Sequence, residues 1–201
     1  MAEGAIFIIS GPSGGGKTTL VKKILSNTYD LRFSVSYTTR EPREGEVNGD
    51  DYIFVTEKEF RAMVERGEFA EYAEVHEHMY GTPKAELERA KASGFDLILD
   101  IDVQGAGQIK KKYGLGVYCF VLPSSFDILR ERLIERKSEN PEEIEERLLD
   151  AQKEMEEIEN YDYIIINDEL DEAVECMASI ISSARCRRER VLEKVKKGYK
   201  C

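Results

Sequence analysis

Lys17 and Thr18 close the octet Gly11-Pro12-Ser13-Gly14-Gly15-Gly16-Lys17-Thr18, which has the form G-x-x-x-x-G-K-[ST] of a phosphate-binding loop. The chemistry is specific. Glycines let the backbone curl so that several N–H groups point at one anion. A helix starting there adds partial positive charge. The Lys17 ammonium reaches β- and γ-phosphates, and the Thr18 hydroxyl is a ligand for Mg²⁺. Thr19 extends the same triphosphate-binding stretch. By composition alone, a chain of this length shows the octet less than about 1% of the time. A glycine-rich structural turn is the competing reading. The context disfavours it, because an apolar run precedes the octet and helical spacing follows.

Other residues suit anion chemistry. Arg40 and Arg43 stand three apart in the polar stretch Thr38–Glu46, and arginine grips phosphate bidentately with a charge that never titrates. Tyr52 and Tyr80 can add hydroxyl donors to the same anion. Two loop arginines alone would read as surface charge. Arg132, Arg136 and Arg147 flank the helix start Asn140-Pro141-Glu142-Glu143; the competing, weaker reading of Arg147 is an i+4 partner for Glu143. Asp100 ends the apolar run Phe95–Asp100 as a Walker-B-like carboxylate would, reaching Mg²⁺ through water. His76 and His78 stand two apart, but no cysteine or third histidine lies near in sequence, so a surface strand or turn is expected there rather than a metal site.

The elements that must carry these groups alternate between strand and helix. Apolar runs at 5–9, 95–101, 117–122 and 162–166 predict buried strands. Helical patterns fall near 17–27, 83–92, 104–112, 125–136 and 141–158, and a long one runs from about 169 toward the C-terminus. This is a βαβ series: an α/β fold with a parallel sheet flanked by helices, whose strand carboxyl ends gather ligands. Residues 33–81 break the rhythm with short alternating pieces, predicting a small mixed β-rich insertion. Thr56-Glu-Lys-Glu59 predicts a capping box there. After the Asn140 cap, Ile144, Leu148, Ala151, Met155 and Ile158 share one helical face.

Composition narrows the class. The chain has 201 residues, 41% of them hydrophobic, enough for one α/β domain. A net charge of −11 disfavours nucleic acid as the main partner. Four cysteines with no C-x-x-C pair predict neither a disulfide framework nor a zinc site. No signal peptide or membrane-length apolar run is visible, so a cytoplasmic location without membrane or obligate protein partner is expected. The basic stretch Arg185–Arg190 and Lys194–Lys200 reads as a solvated helix end complementing the helix dipole.

Several motifs in one order then resemble the guanylate kinase family. They are Ser34-Val-Ser36-Tyr-Thr-Thr-Arg40-Glu-Pro-Arg43-Glu-Gly-Glu46, Gly49-Asp-Asp-Tyr52, Gly67-Glu-Phe69-Ala-Glu71, Tyr80-Gly-Thr82 and Leu99-Asp100-Ile-Asp102-Val-Gln-Gly105. Arg132–Arg136, Ile144–Leu148 and Tyr161–Asp168 continue the match. The resemblance implies a phosphate-binding-loop fold with a nucleoside-monophosphate-binding insertion and a helical lid. The expected division is core 1–32, 83–124 and 160–201, insertion 33–82, and lid 125–159. It implies transfer of the γ-phosphoryl group of ATP to GMP, and to dGMP, with Mg²⁺. Guanine offers N1–H and N2–H₂ as donors, so Glu71 and Ser36 are the implied base readers, with Thr82 and Asp102 as helpers. Adenine would leave Glu71 unpaired, and such a site can discriminate by about 10⁴–10⁵. Arg40, Arg43, Tyr52 and Tyr80 are the implied holders of the GMP phosphate. Asp100 lies by the same substrate, and Glu46 either joins the set or orients the arginines. Arg132, Arg136 and Arg147 are the implied lid arginines, and Asn167 lies near the ATP adenine.

The chain departs from the family pattern at three places: Lys137 replaces a glycine after the second lid arginine, Gly15 replaces a larger residue, and His76-Glu-His-Met79 replaces a small polar turn. Three rivals stand at this level. Asp102-Val-Gln-Gly105 satisfies the D-x-x-G of GTPases, although N-K-x-D is missing. Guanylate-kinase-like scaffold modules keep the fold without the ATP site, against which Lys17, Thr18 and Asp100 stand. Ser36 and Glu71 argue against a kinase for another monophosphate.

Overall fold

Every residue of Ile6–Ser10 is buried, which requires a sheet covered on both faces. The computed structural model describes residues 4–135 and 141–199. In chain order they form β1 (Ile6–Ser10), α1 (Lys17–Asn27), β2 (Leu31–Phe33), β3 (Tyr37–Thr38), β4 (Ile53–Phe54) and α2 (Glu57–Glu65). Then come β5 (Phe69–Val75), β6 (His78–Pro83), α3 (Lys84–Ser93), β7 (Asp96–Asp100), α4 (Val103–Tyr113) and β8 (Val117–Leu122). The remainder is α5 (Phe126–Glu135), α6 (Pro141–Met155), a 3₁₀ turn (Ile158–Asn160), β9 (Tyr163–Ile166), α7 (Leu170–Arg185) and α8 (Arg188–Tyr199).

The large sheet has the order β2-β7-β1-β8-β9 and is parallel throughout. One face packs Phe7, Ile9, Ile98 and Val121 against α1 and α7. The other packs Ile8, Leu97 and Leu99 against α3 and α4. The chain runs from β1 to β2 on one side and later crosses from β7 to β8 on the other side of β1, so the carboxyl ends of β1 and β7 border the crevice where ligands collect in such sheets.

Three smaller units surround that crevice. The second sheet, β4-β3-β6-β5, has its own core of Phe60, Met63 and Phe69. Helix α2 opens with the expected capping box between Thr56 and Glu59. Helices α5 and α6 share a separate cluster of Leu129, Leu133, Ile144, Leu148 and Ala151. Asn140, Arg136 and Lys137 lie outside the described residues.

The structure corrects several expectations. β9 was expected to be buried, yet Tyr163, Ile164 and Ile166 are exposed, because β9 is an edge strand paired only with β8. Phe33, read as the first residue of the insertion, pairs with Ile98 in the large sheet. The helix expected over 141–158 ends at Met155, leaving Ile158 in the 3₁₀ turn. The long C-terminal helix is two, α7 and α8. Their basic residues are not merely solvated: Arg185 Nε and Arg190 Nη2 bind the buried Asp96 carboxylate at 2.7 and 2.8 Å. Asp96 also accepts the Ala5 N–H at 2.7 Å, so one carboxylate joins β7, the start of β1 and the C-terminal helices. Among the described residues, no helix is long and apolar enough to cross a membrane.

Candidate active site

The loop after β1 is shaped by close approaches that only glycine permits. A Cβ at Gly11 (φ +136°) would lie 2.0 Å from Val121 O, and one at Gly16 (φ +84°) 2.3 Å from Asn167 Nδ2. Gly16 is the N-cap of α1 and contributes no side chain to the cap, so the amides there face the crevice. Lys17 Nζ curls back over the loop and donates to Gly11 O at 2.5 Å and Pro12 O at 3.1 Å. Asn167, expected near an adenine, is buried and donates from Nδ2 to Gly15 O at 2.8 Å. Gly15 is not slack: a Cβ there would meet Val121 O at 2.9 Å and Pro12 O at 3.0 Å.

Asp100 faces this loop from the end of β7, in register with Ile9. Burial pushes its carboxyl up, against the opposing pull of the Lys17 charge and a hydrogen bond from Thr18. A hydroxyl and a carboxylate side by side form an all-oxygen donor set, which fits a hard cation such as Mg²⁺.

Across the crevice, β5 and β6 pair Glu71 with Thr82. Both the N–H and the hydroxyl of Thr82 donate to Glu71 Oε1, at 3.0 and 2.5 Å. Thr82 is fully enclosed, so it reaches the cleft through Glu71. The other oxygen, Oε2, lies against the first turn of α4, where Gly105 leaves room for it. Asp102 caps that helix by accepting the Gly105 N–H at 2.9 Å. Burial, reinforced by the Asp102 charge and opposed by the Thr82 bonds, pushes Glu71 up to about 7. Ser36 is buried and lines the same cleft.

Arg40 is held by Glu46, which accepts from Nη2 at 2.8 and 3.0 Å, while Nη1 donates to Glu41 O at 2.7 Å. Glu46 also accepts the Arg43 N–H at 2.7 Å. Burial works against both charges of the Arg40–Glu46 pair. Their mutual attraction outweighs it, raising Arg40 and lowering Glu46. Tyr52 and Tyr80 meet edge to face at 5.9 Å, and the Arg40 guanidinium lies 5.6 Å from the Tyr52 ring.

Helix α6 overhangs the loop. Arg147 Nη1 donates to Ser13 Oγ at 2.5 Å. Arg132 lies on the far side of the loop, beside Asn167, and donates to Asp168 O at 3.1 Å. Arg136 lies outside the described residues. The β5–β6 turn, with His76 and Glu77 at positive φ (48° and 64°), reaches α6: His76 Nδ1 is 3.8 Å from Asp150 Oδ2. The neighbours of His76 are thus carboxylates of α6 rather than His78, with ligand atoms of His76, Glu146 and Asp150 within 4.8 Å of one another.

One cleft therefore joins Lys17, Thr18, Ser36, Arg43, Glu71 and Arg147, and Tyr52, Tyr80, Asp100 and Asp102 line it too. An adjoining pocket, sharing Arg43, Tyr52 and Tyr80, holds Arg40 and Glu46. Two residues of the site carried little signal in the sequence. Gly105 was visible as the glycine of D-x-x-G, but its purpose, making room for Glu71, was not. Glu154 lines the cleft from the last turn of α6, and its only sequence signal was a spacing of seven from Arg147.

The family model described as guanylate kinase matches residues 3–184. A guanylate kinase of Geobacter metallireducens is 52% identical over 197 residues, covering 98% of this chain and 97% of the relative. One from Geobacter sulfurreducens is 51% identical over 193 residues, covering 96% and 95%. The crystal structure of guanylate kinase from Anaplasma phagocytophilum superposes with a TM-score of 0.82 at 31% identity, covering 98% of this chain and 95% of that one.

Proposed function

This chain belongs to the guanylate kinase family, and from that premise we propose how its residues carry the reaction. The enzyme moves the γ-phosphoryl group of ATP to GMP. A GMP phosphate oxygen attacks the γ-phosphorus, the bond to the β,γ-bridging oxygen breaks, and ADP leaves with that electron pair. GDP is the other product, and dGMP is a second acceptor. No side chain need act as a strong base, because the attacking phosphate is already anionic.

The loop amides and Lys17 hold the triphosphate, with Lys17 exchanging its carbonyl partners for phosphate oxygens. Thr18, and Asp100 through water, would hold Mg²⁺, which would offset phosphate charge. Asn167, which also braces Gly15 O, lies by the ATP adenine, and Arg132 is a lid arginine beside it. On the acceptor side, the Glu71 carboxylate takes the guanine N1–H and N2–H, Ser36 supports it, and Thr82 and Asp102 fix the wall behind. Arg40, Arg43, Tyr52 and Tyr80 grip the GMP phosphate, and Glu46 sets the Arg40 fork. Arg147, with Arg136, brings positive charge to the moving group and helps exclude water. The working division is a core of 1–33, 84–124 and 160–201, a GMP-binding unit of 34–83, and a lid of 125–159. The enzyme works in the cytoplasm, with no nucleic acid, membrane or obligate protein partner.

The observation that carries this reading is the buried Glu71 carboxylate facing the same cleft as Lys17. A coupled assay of ADP formation across GMP, AMP, UMP, CMP and dTMP tests it, with GMP expected to lead by about 10⁴. Equal turnover of AMP and GMP overturns it. Phosphate release from GTP in water, with no monophosphate acceptor needed, would favour the GTPase reading.

A further inference from the structure

Glu154 is a carboxyl group in a cleft built to hold phosphates, and the mechanism above gives it no task. It lies on the last turn of α6, seven residues after Arg147 and so on the same helix face. Both side chains line the cleft. Glu154 Oε2 is wholly enclosed and has no hydrogen-bond partner among the described residues. Among the described residues, the charged and titratable groups facing it come from four places: Lys17 at the start of α1, Asp102 at the cap of α4, Asp150 on α6 itself, and Tyr161 after the 3₁₀ turn.

Of these, only Lys17 favours a carboxylate. Lys17 is also the cation the triphosphate needs. A phosphate chain drawn to Lys17 removes that compensation and brings several negative charges toward an enclosed anion. A carboxyl so placed remains in the closed cleft only by becoming neutral.

We propose that Glu154 is a positioning residue that shares Lys17 with the nucleotide: ionised, it faces the ammonium, and on triphosphate binding it takes up one proton from solution and releases Lys17 to the phosphates. The proton balance is one taken from water or buffer per Glu154 carboxylate neutralised, with no other bond made or broken. Desolvation, with the Asp102 and Asp150 charges and against the pull of Lys17, already pushes the group up to about 7. The exchange therefore falls near neutrality. This rests on the kinase reading above, since it needs a triphosphate at the loop.

The test is calorimetric binding of adenylyl imidodiphosphate with Mg²⁺ to the full chain at pH 7, in two buffers of different ionisation enthalpy. The wild type should take up about half a proton more per nucleotide than Glu154→Gln, because half the molecules carry the proton beforehand and nearly all do afterwards. At pH 8 the variant should show a several-fold lower KM for ATP, with kcat and the KM for GMP unchanged. Those readouts would not move for a residue that only packs the helix end. Equal proton uptake in both proteins overturns the proposal, whereas absence of nucleotide binding in both overturns the kinase reading instead. Should Glu154→Gln fail to fold, the wild type carries the test alone: its affinity for the analogue must fall between pH 7 and 8.5, and a flat or rising affinity refutes the exchange.

Discussion

A methyl group on Gly105 would lie 2.4 Å from Glu71 Oε2, so the first turn of α4 and the Glu71 carboxylate occupy adjoining space with nothing to spare. Glu71 cannot swing aside, because Thr82 holds its other oxygen through two hydrogen bonds. Gly105→Ala is therefore expected to displace the carboxylate, at a cost of about 1–3 kcal/mol. The readout is steady-state kinetics: kcat/KM for GMP should fall about tenfold or more, with the KM for ATP unchanged. An unaltered GMP term would show that Glu71 does not need this position.

The raised Glu71 carboxyl sets a pH dependence with opposite signs for folding and for binding. With a folded value near 7 against an ordinary 4.5, the folded protein keeps a proton that the unfolded chain has lost. Its contribution to stability thus declines as pH rises from about 4.5 to 7. In the proposed role the ionised form accepts from guanine, so kcat/KM for GMP at saturating ATP should fall about tenfold per pH unit below 7. Glu71→Gln should lack that limb and lose its preference for GMP over AMP by at least about 100-fold. An unchanged GMP/AMP ratio would remove Glu71 from the base-reading role.

Lys17→Ala separates the two halves of the cleft. Among the described residues, the hydrogen bonds of Lys17 Nζ go to loop carbonyls, so its removal should leave GMP binding by calorimetry within about twofold while turnover falls by about 10³ or more. Near-normal turnover would contradict the assignment of the phosphate-binding loop.

Asp96 predicts a stability effect remote from the chemistry. It is 2% exposed and bonded to Arg185, Arg190 and the Ala5 N–H. Taking away one member of such a buried set costs about 3–5 kcal/mol. Asp96→Asn should lower the urea midpoint accordingly, while kcat for the folded fraction stays near that of the wild type. A shift below about 1 kcal/mol would mean that the two arginines find equivalent partners elsewhere.

Much of the architecture was legible because period and punctuation carried it. The β1 run, the glycine octet and the Thr56–Glu59 box each act within a few residues, and each is where the pattern placed it. What escaped depended on neighbours far along the chain. An apolar run such as Tyr163–Ile166 reads alike in a central or an edge strand, since only the presence of a second pairing partner differs. Arg185 and Arg190 read as surface charge until Asp96 is seen beneath them. Asn167 was read toward adenine from its place after the last strand, but its bond to Gly15 O could not be read from the sequence. The site shows the same division: residue types at Lys17, Arg40 and Glu71 announce their chemistry, whereas Gly105 and Glu154 matter through the space and charge of groups on other elements.

The bond from Asn167 Nδ2 to Gly15 O spans 152 residues of sequence, and this bears on the order in which the molecule is made. The loop Gly11–Thr18 is made well before its walls, Val121 O and Asn167, which follow at a translation rate of about 5–20 residues per second. Through that interval the nascent chain carries the motif without the pocket, and long-range contacts of this kind also slow folding. Nucleotide should thus assist only the final docking of β9, raising the yield of refolded full-length chain without rescuing a fragment that ends at Leu122. Tight ATP binding by that fragment would show that the loop forms unaided.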